Sequence, residues 1–207
     1  MPMEFESMRS VHYQPQAIEA MAVTEDAQLL AVVREQNCIE IWLRHSWVQL
    51  SVIAGNKHAA IRNIHWLEKA PTEQSPNPLA GRRLVSTGLN GVVIEWDLLQ
   101  GCVKNKLSVN APIWQSAMPK GGSRVYLACE DGSIKLVKVK KASIQFERQG
   151  TMRAESKCLS LEVTADQRFV FGGYEDSSIR KWNLETLHCE LQFVKQTKKR
   201  VQDRVDS

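Results

Sequence analysis

Apolar residues along this chain come in short runs broken by polar turns, and the order of runs repeats. Ile18–Val23 and Leu29–Val33 are separated by Thr24-Glu25-Asp26; after Arg34–Asn37 come Ile39-Glu40-Ile41-Trp42 and then Trp47–Ile53. The same sequence of four returns as Ile61–Trp66, Leu84–Ser86, Val92–Trp96 and Val103–Val109, and again as Ile113–Ala117, Val125–Cys129, Ile134–Val139 and Ile144–Glu147. A last round is Cys158–Val163, Phe169–Gly173, Ile179–Trp182 and Leu187–Val194. Short runs rich in Val and Ile, bounded by Asn, Asp, Gly and Ser, predict β-strands, and no stretch of about 11 residues carries a helical period. The sharpest turn is Asn90-Gly91, which lies between apolar runs and whose residues tolerate φ > 0, so it predicts a tight hairpin.

The repeat is measured at the end of the third strand, occupied by Trp42, Trp96, Val137 and Trp182 at intervals of 54, 41 and 45 residues. The longest interval contains Glu68–Gly81, with Pro71, Pro76 and Pro78. A central strand cannot absorb that many prolines, so this insertion reads as an exposed, mobile loop; without it the spacings agree. Four strands in about 40–45 residues, with Trp96-Asp97 closing a unit, is the signature of a WD40 blade. The expected fold is all-β, a WD40-type β-propeller with about four blades in an incomplete ring. The blades span 17–54, 60–109, 112–149 and 157–194 of a domain at 1–194. His12-Tyr13 is a candidate edge strand. Residues 195–207 form a basic tail with little apolar content, expected to be disordered. Four blades leave a strand edge open at each end, which predicts a part of a longer protein.

The blade signature is degenerate. Trp182 is followed by Asn183, Trp42 by Leu43, and Val137 replaces the aromatic residue. In the second blade, His58, Ser86 and Trp96, with Asn90 in the turn, can form the hydrogen-bonded chain that satisfies buried polar groups within a WD40 blade. Together with Trp42, Asp97, Asp131, Asp176 and Trp182, these residues read as structural.

Composition narrows the setting. Net charge is +4 over 207 residues, mildly basic and compatible with nucleic acid or an acidic partner. Cys38, Cys102, Cys129, Cys158 and Cys189 are scattered singly, which predicts small buried residues in a reducing compartment. The N-terminal stretch is polar and no apolar run is long enough to span a bilayer, so cytosol or nucleus is expected, with no membrane partner.

No nucleophile elbow, P-loop, zincin helix or dinucleotide fingerprint occurs, and the five histidines lack ligand spacing. An acid pair from the Asp131 and Asp176 turns is the nearest thing to a catalytic set, but turn acids are routine in propellers. The reading is a binding protein, not an enzyme, with no catalytic residue, metal, cofactor or small-molecule substrate. Two basic sets are candidates for RNA or partner binding: Lys135, Lys138, Lys140 and Lys141 in blade three, and Lys195, Lys198, Lys199 and Arg200 in the tail. Such lysines would attract phosphate without reading bases, and only Phe146 lies near them for stacking. Trp114 reads as core packing with the channel mouth as the other option, and Trp47 as an outer-strand packing residue.

Several ordered segments carry a more specific likeness. They are Ile39–Trp42; Trp47-Val48-Gln49 with Val52–Gly55; Ile61–Trp66; Ser86–Gly91 with Glu95–Leu98; Pro112-Ile113-Trp114; Cys129–Leu136; and Ile144–Arg148. Across about residues 11–194 the chain resembles the N-terminal propeller of the cirhin family, WD40 subunits of the UtpA subcomplex of the small-subunit processome. The resemblance implies a nucleolar, non-catalytic scaffold in ribosome biogenesis. Its partners would be other UtpA-type WD40 proteins and nascent pre-rRNA at the 5′ external transcribed spacer, in support of 18S rRNA maturation. The alternative is a substrate receptor of a cullin–RING ubiquitin ligase, or another protein-interaction propeller. Those receptors often carry W-D-x-R, whereas the third residue after each blade-end position here is His45, Leu99, Lys140 or Glu185.

Overall fold

A computed structural model describes residues 16–55, 60–67, 77–119, 124–140, 144–146 and 152–194. His12-Tyr13, His58, Lys141, most of the Pro-rich insertion and the 195–207 tail lie outside the described residues.

Four antiparallel sheets follow one another along the chain. Blade 1 is β1 (Ile18–Val23), β2 (Leu29–Arg34), β3 (Ile39–Leu43) and β4 (Val48–Ile53). Blade 2 is β5 (Ile61–Leu67), β6 (Arg83–Gly88), β7 (Val92–Asp97) and β8 (Cys102–Ser108). Blade 3 is β9 (Ile113–Ala117), β10 (Arg124–Cys129), β11 (Ser133–Val139) and β12 (Ile144–Phe146), with β13 (Met152–Arg153) also paired to β11. Blade 4 is β14 (Cys158–Val163), β15 (Phe169–Tyr174), β16 (Ser178–Asn183) and β17 (Cys189–Val194). No helix occurs among the described residues. Each sheet is a meander of neighbouring strands, and β1 packs on β5, β5 and β6 on β9, and β9 and β10 on β14. This is the arc of a β-propeller.

Turn chemistry sets the strand ends. The turn between second and third strands holds a left-handed residue in every blade: Asn37, Gly91, Gly132 and Ser177. In two of them glycine is required by a neighbour as well. A Cβ on Gly91 would lie 2.7 Å from the Ala111 carbonyl oxygen, and one on Gly132 would lie 2.2 Å from that of Ala154. The strand leading to the next blade therefore runs directly over the turn. The third-to-fourth turn repeats too, with Trp47, Gly101 and Leu187 all left-handed five residues after the blade-end Trp. That corrects the reading of Trp47: it occupies the Gly101 position of a turn and is exposed, not packed on an outer strand. It also explains why β17 starts at Cys189 and not at Leu187.

The core lies between blades. Ile39, Ile41, Ile64, Trp66, Leu84 and Trp96 join blades 1 and 2. Val85, Val93, Ile113, Val125, Leu127 and Val137 join 2 and 3. Tyr126, Ile134, Met152, Leu161, Val170 and Trp182 join 3 and 4. Leu79 is buried in the first of these, so the last residues of the Pro-rich insertion pack on the core instead of extending as an exposed loop. Beside it, Arg82 forms an ion pair with Asp26 of blade 1. Hydrogen bonds also cross the seams: Trp66 Nε1 donates to the Ala22 carbonyl at 3.0 Å, and Ile61 N to Asn37 Oδ1 at 2.8 Å.

Candidate functional site

The blade-end tryptophans find three different acceptors. Trp96 Nε1 donates to Ser86 Oγ at 2.9 Å, inside the blade. Trp182 Nε1 donates to the Tyr174 hydroxyl at 3.0 Å. Trp42 Nε1 donates to Glu40 Oε2 at 3.0 Å, and the same oxygen accepts from Arg34 Nε at 3.0 Å. Val137, fully buried, fills the position with aliphatic bulk. Of the sequence-derived chain in blade 2, the Ser86–Trp96 link is described. Asn90 is exposed and its Oδ1 caps Val92 N at 3.2 Å, while His58 is outside the described residues.

The turn acids are engaged with their own backbone. Asp131 Oδ1 accepts from Ser133 N at 3.1 Å and from the Ser133 hydroxyl. Asp176 Oδ1 accepts from Ser178 N at 2.9 Å and its Oδ2 from Arg180 at 2.9 Å. Burial pulls the Asp131 pKa up but is outweighed by the Ser133 hydrogen bonds and by Lys135, so the carboxyl titrates below its ordinary value. Hydrogen bonds from Ser178 and Arg180 do the same for Asp176. Each is an ionised turn former. Asp97 Oδ1 accepts from Leu99 N and Gln100 N, and Asn183 repeats that role with Glu185 N and Thr186 N. A cleft of about 750 Å³ near these turns, lined by Asp131, Arg153, Glu155, Arg180 and Gln192, is of mixed charge.

Two polar clusters were not read from the sequence. At the seam of blades 2 and 3, His65 Nε2 and Thr87 Oγ1 each lie 2.8 Å from Ser116 Oγ. Burial pushes the His65 pKa down to about 4, opposed only in part by the Ser116 hydrogen bond, so the ring is neutral. On the next strand pair, the Glu95 side chain is fully buried and accepts from Arg83 Nε at 2.7 Å, Asn105 Nδ2 at 2.8 Å and Lys104 Nζ at 3.2 Å. Burial raises its pKa, but the bonds from Arg83, Asn105 and Lys104 outweigh it and keep Glu95 ionised. Glu95 stands opposite Asn105 in register, so a charged residue inside an apolar strand was the available signal.

The basic candidates separate. Lys135 Nζ donates to the Val109 carbonyl at 2.7 Å and pairs with Asp131 at 3.2 Å. It ties blade 3 to the strand leading in from blade 2, and this removes it from a solvent-facing basic set. Lys138 is half-buried and Lys140 is exposed, its carbonyl accepting from Arg83 at 2.6 Å. Lys138 pairs in register with Arg124, which lines a cleft of about 250 Å³ with Tyr126, Leu136, Gln167, Arg168 and Asn183. Lys141, Lys195, Lys198, Lys199 and Arg200 are outside the described residues. Trp114 is half-buried on β9, and its enclosed indole N–H has no partner among the described residues.

The expectation of buried cysteines holds for Cys129 and Cys158 only. Cys102 and Cys189 are exposed on the outermost strands β8 and β17, and Cys38 is intermediate. Burial pushes the Cys129 thiol up to about 11 and Cys158 up to about 12. Among the described residues, no group of three His, Cys, Asp or Glu side chains is placed to hold a metal ion.

No family model matches the chain. The chain is similar to the U3 small nucleolar RNA-associated protein 4 homolog of Homo sapiens, 33% identical over 156 residues, 74% of this chain and 21% of that protein. The mouse protein of the same name is 32% identical over 193 residues, 87% of this chain and 26% of that protein. The U3 small nucleolar RNA-associated protein 21 homolog of Schizosaccharomyces pombe is 28% identical over 107 residues, 52% of this chain and 12% of that protein. The chain thus spans about a fifth to a quarter of the length of the two mammalian relatives. Among solved structures, the Cps50 β-propeller domain of Myceliophteria thermophila superposes with a TM-score of 0.67 at 14% identity, over 89% of this chain and 57% of that one. The fold is a WD40-type β-propeller, and the arc here covers part of a propeller domain.

Proposed function

We propose that this protein is a WD40 subunit of the small-subunit processome, of the cirhin family, acting as a non-catalytic scaffold in ribosome biogenesis. The observation that carries the reading is its similarity, over most of its own length, to two mammalian proteins named for association with U3 small nucleolar RNA. The S. pombe relative named for the same RNA supports the same setting. In this reading the protein resides in the nucleolus, contacts other UtpA-type WD40 proteins and nascent pre-rRNA at the 5′ external transcribed spacer, and supports 18S rRNA maturation. The chain's own chemistry suits a scaffold: Ser86 and Glu95 are spent on bonds inside blade 2, and His65 on a bond across the seam of blades 2 and 3.

Contact with RNA would be through phosphates, made by Lys138 and Lys140 of blade 3 and by Lys141 and the tail set Lys195, Lys198, Lys199 and Arg200. Ionic attraction of this kind weakens as salt is raised. The test is affinity purification of the tagged protein from cells, with RNA sequencing and identification of co-purifying proteins. The expected result is enrichment of the 5′ end of pre-rRNA and of WD40 proteins of the processome. Recovery without either refutes the reading, and recovery of a cullin–RING adaptor supports the alternative.

A further inference from the structure

Strand register in blade 3 sets two cations side by side. Arg124 on β10 stands directly opposite Lys138 on β11. Residues directly opposite in an antiparallel pair share a side of the sheet, and like charges there repel. The fold does not ask for charge at this position. The equivalent pairs are Leu29 with Leu43 in blade 1 and Phe169 with Asn183 in blade 4. Each stands next to the pair that holds the blade-end residue: Leu30 with Trp42, Val125 with Val137, Val170 with Trp182.

The side that the two cations share faces blade 4. Two positions along, Tyr126 stands opposite Leu136, and both line the cleft of about 250 Å³ between blades 3 and 4. Arg124 lines it as well, and the turn between β14 and β15 brings Gln167 and Arg168 to it from blade 4. Glu185 is the acid of the described lining. Glu190, whose carboxyl also feels Arg168, is held by Lys181 and Asn183. Lys138, and exposed Lys140 two residues on, form no ion pair among the described residues. The opposite rim, built from the turns between second and third strands, differs. There Lys135 meets Asp131, Lys157 lies between Glu130 and Glu175, Arg180 meets Asp176, and Arg153 donates to the Asp131 carbonyl.

We propose that this cleft binds the sugar–phosphate backbone of single-stranded RNA, with Arg124, Lys138 and Arg168 around one phosphate and Lys140 meeting the next. RNA as the occupant rests on the function proposed above; the anion site rests on the cations and the cleft. A phosphate between two opposed cations replaces their repulsion with charge-assisted hydrogen bonds to both. Cations that continue from the cleft along the rim suit a polymer with a charge on every residue, whereas a phosphorylated side chain offers its charge at one point. Tyr126, the aromatic residue of the lining, is buried, so its ring is not open to stacking and contact is with the backbone, indifferent to sequence.

Fluorescence anisotropy of the full chain with a labelled single-stranded oligouridylate, titrated from low salt upward, tests this. The parent binds, and its affinity falls as salt rises. Lys138→Gln and Arg168→Gln each weaken binding about fivefold and lower the slope of log affinity against log salt by about 0.7. Lys157→Gln, on the opposite rim, leaves both quantities unchanged. Lys138→Gln removes a repulsion and Arg168 is exposed on a turn, so both variants keep the denaturant midpoint of the parent and lost binding is not lost fold. Binding that neither cleft substitution changes, or that Lys157→Gln weakens equally, overturns the proposal. A parent that binds no oligouridylate, or prefers a phosphoserine peptide, overturns it too, while the processome reading stands or falls by the affinity purification described above.

Discussion

Acidification from about pH 7 to about pH 5 is predicted to weaken the seam between blades 2 and 3 through His65. The ring is buried beside Ser116, and its pKa falls from 6.5 to about 4 in the fold. A depressed histidine pKa means that the unfolded chain binds the proton more readily. Stability is therefore fully present above about pH 6.5 and is lost as pH falls toward about 4. Between pH 7 and pH 5 the linkage relation gives a loss of about 2 kcal/mol. For a chain of this size that lowers Tm by about 4–8 °C. The hydrogen-bonded carboxyls of Asp26, Glu95, Asp131 and Asp176 titrate below their ordinary values and stay ionised across this window, so they add little to the slope. The assay is thermal unfolding at both pH values for the parent and for His65→Gln, which retains a polar group near Ser116 but does not titrate. The variant should lose most of the pH slope. An equal slope in both proteins, or a His65 pKa near 6.5 by NMR titration, refutes the reasoning.

Two further outcomes follow from the blade interior and the thiols. Ser86→Ala leaves the Trp96 indole N–H buried without an acceptor and should cost about 1–3 kcal/mol, while Trp96→Ala should cost about 3–5 kcal/mol, both read from denaturant midpoints. A loss below about 1 kcal/mol for Trp96→Ala means that this indole does not hold the blade. A disulfide reagent at neutral pH should modify Cys102 and Cys189 rapidly and leave Cys129 and Cys158 untouched until denaturant is added; fast reaction of either buried thiol contradicts the packing of blades 3 and 4.

The strand order was legible because most strands are short apolar runs and the turns between second and third strands hold residues such as Asn37, Gly91 and Gly132 that tolerate the left-handed region. Trp47 escaped because nothing local distinguishes a tryptophan at the Gly101 position of a turn from one starting a strand. Met152–Arg153 escaped because two residues carry no period. The polar contacts between blades were illegible for a different reason. His65 and Ser116 are 51 residues apart, and their meeting depends on how one sheet stacks on the next, which no spacing within a blade encodes. Lys135 shows the same limit, since its ties to Val109 and Asp131 turn a surface charge into a structural one.

The receiving face that each blade turns toward the one after it, bearing Ala31 with Ile39, Val85 with Val93 and Tyr126 with Ile134 in blades 1 to 3, has a consequence for how such a chain is made. Synthesis proceeds from blade 1 onward, and every sheet here is built from adjacent hairpins, so a blade can close soon after its fourth strand emerges. At each stage the newest blade shows the ribosome exit and its surroundings a receiving face that has no cover yet. Ala31 with Ile39, then Val85 with Val93, then Tyr126 with Ile134 take that place in turn, and each is sealed by the blade behind it. The first two pairs are of similar size and Tyr126 with Ile134 is the largest, so the apolar area left open on the newest blade rises at the third blade.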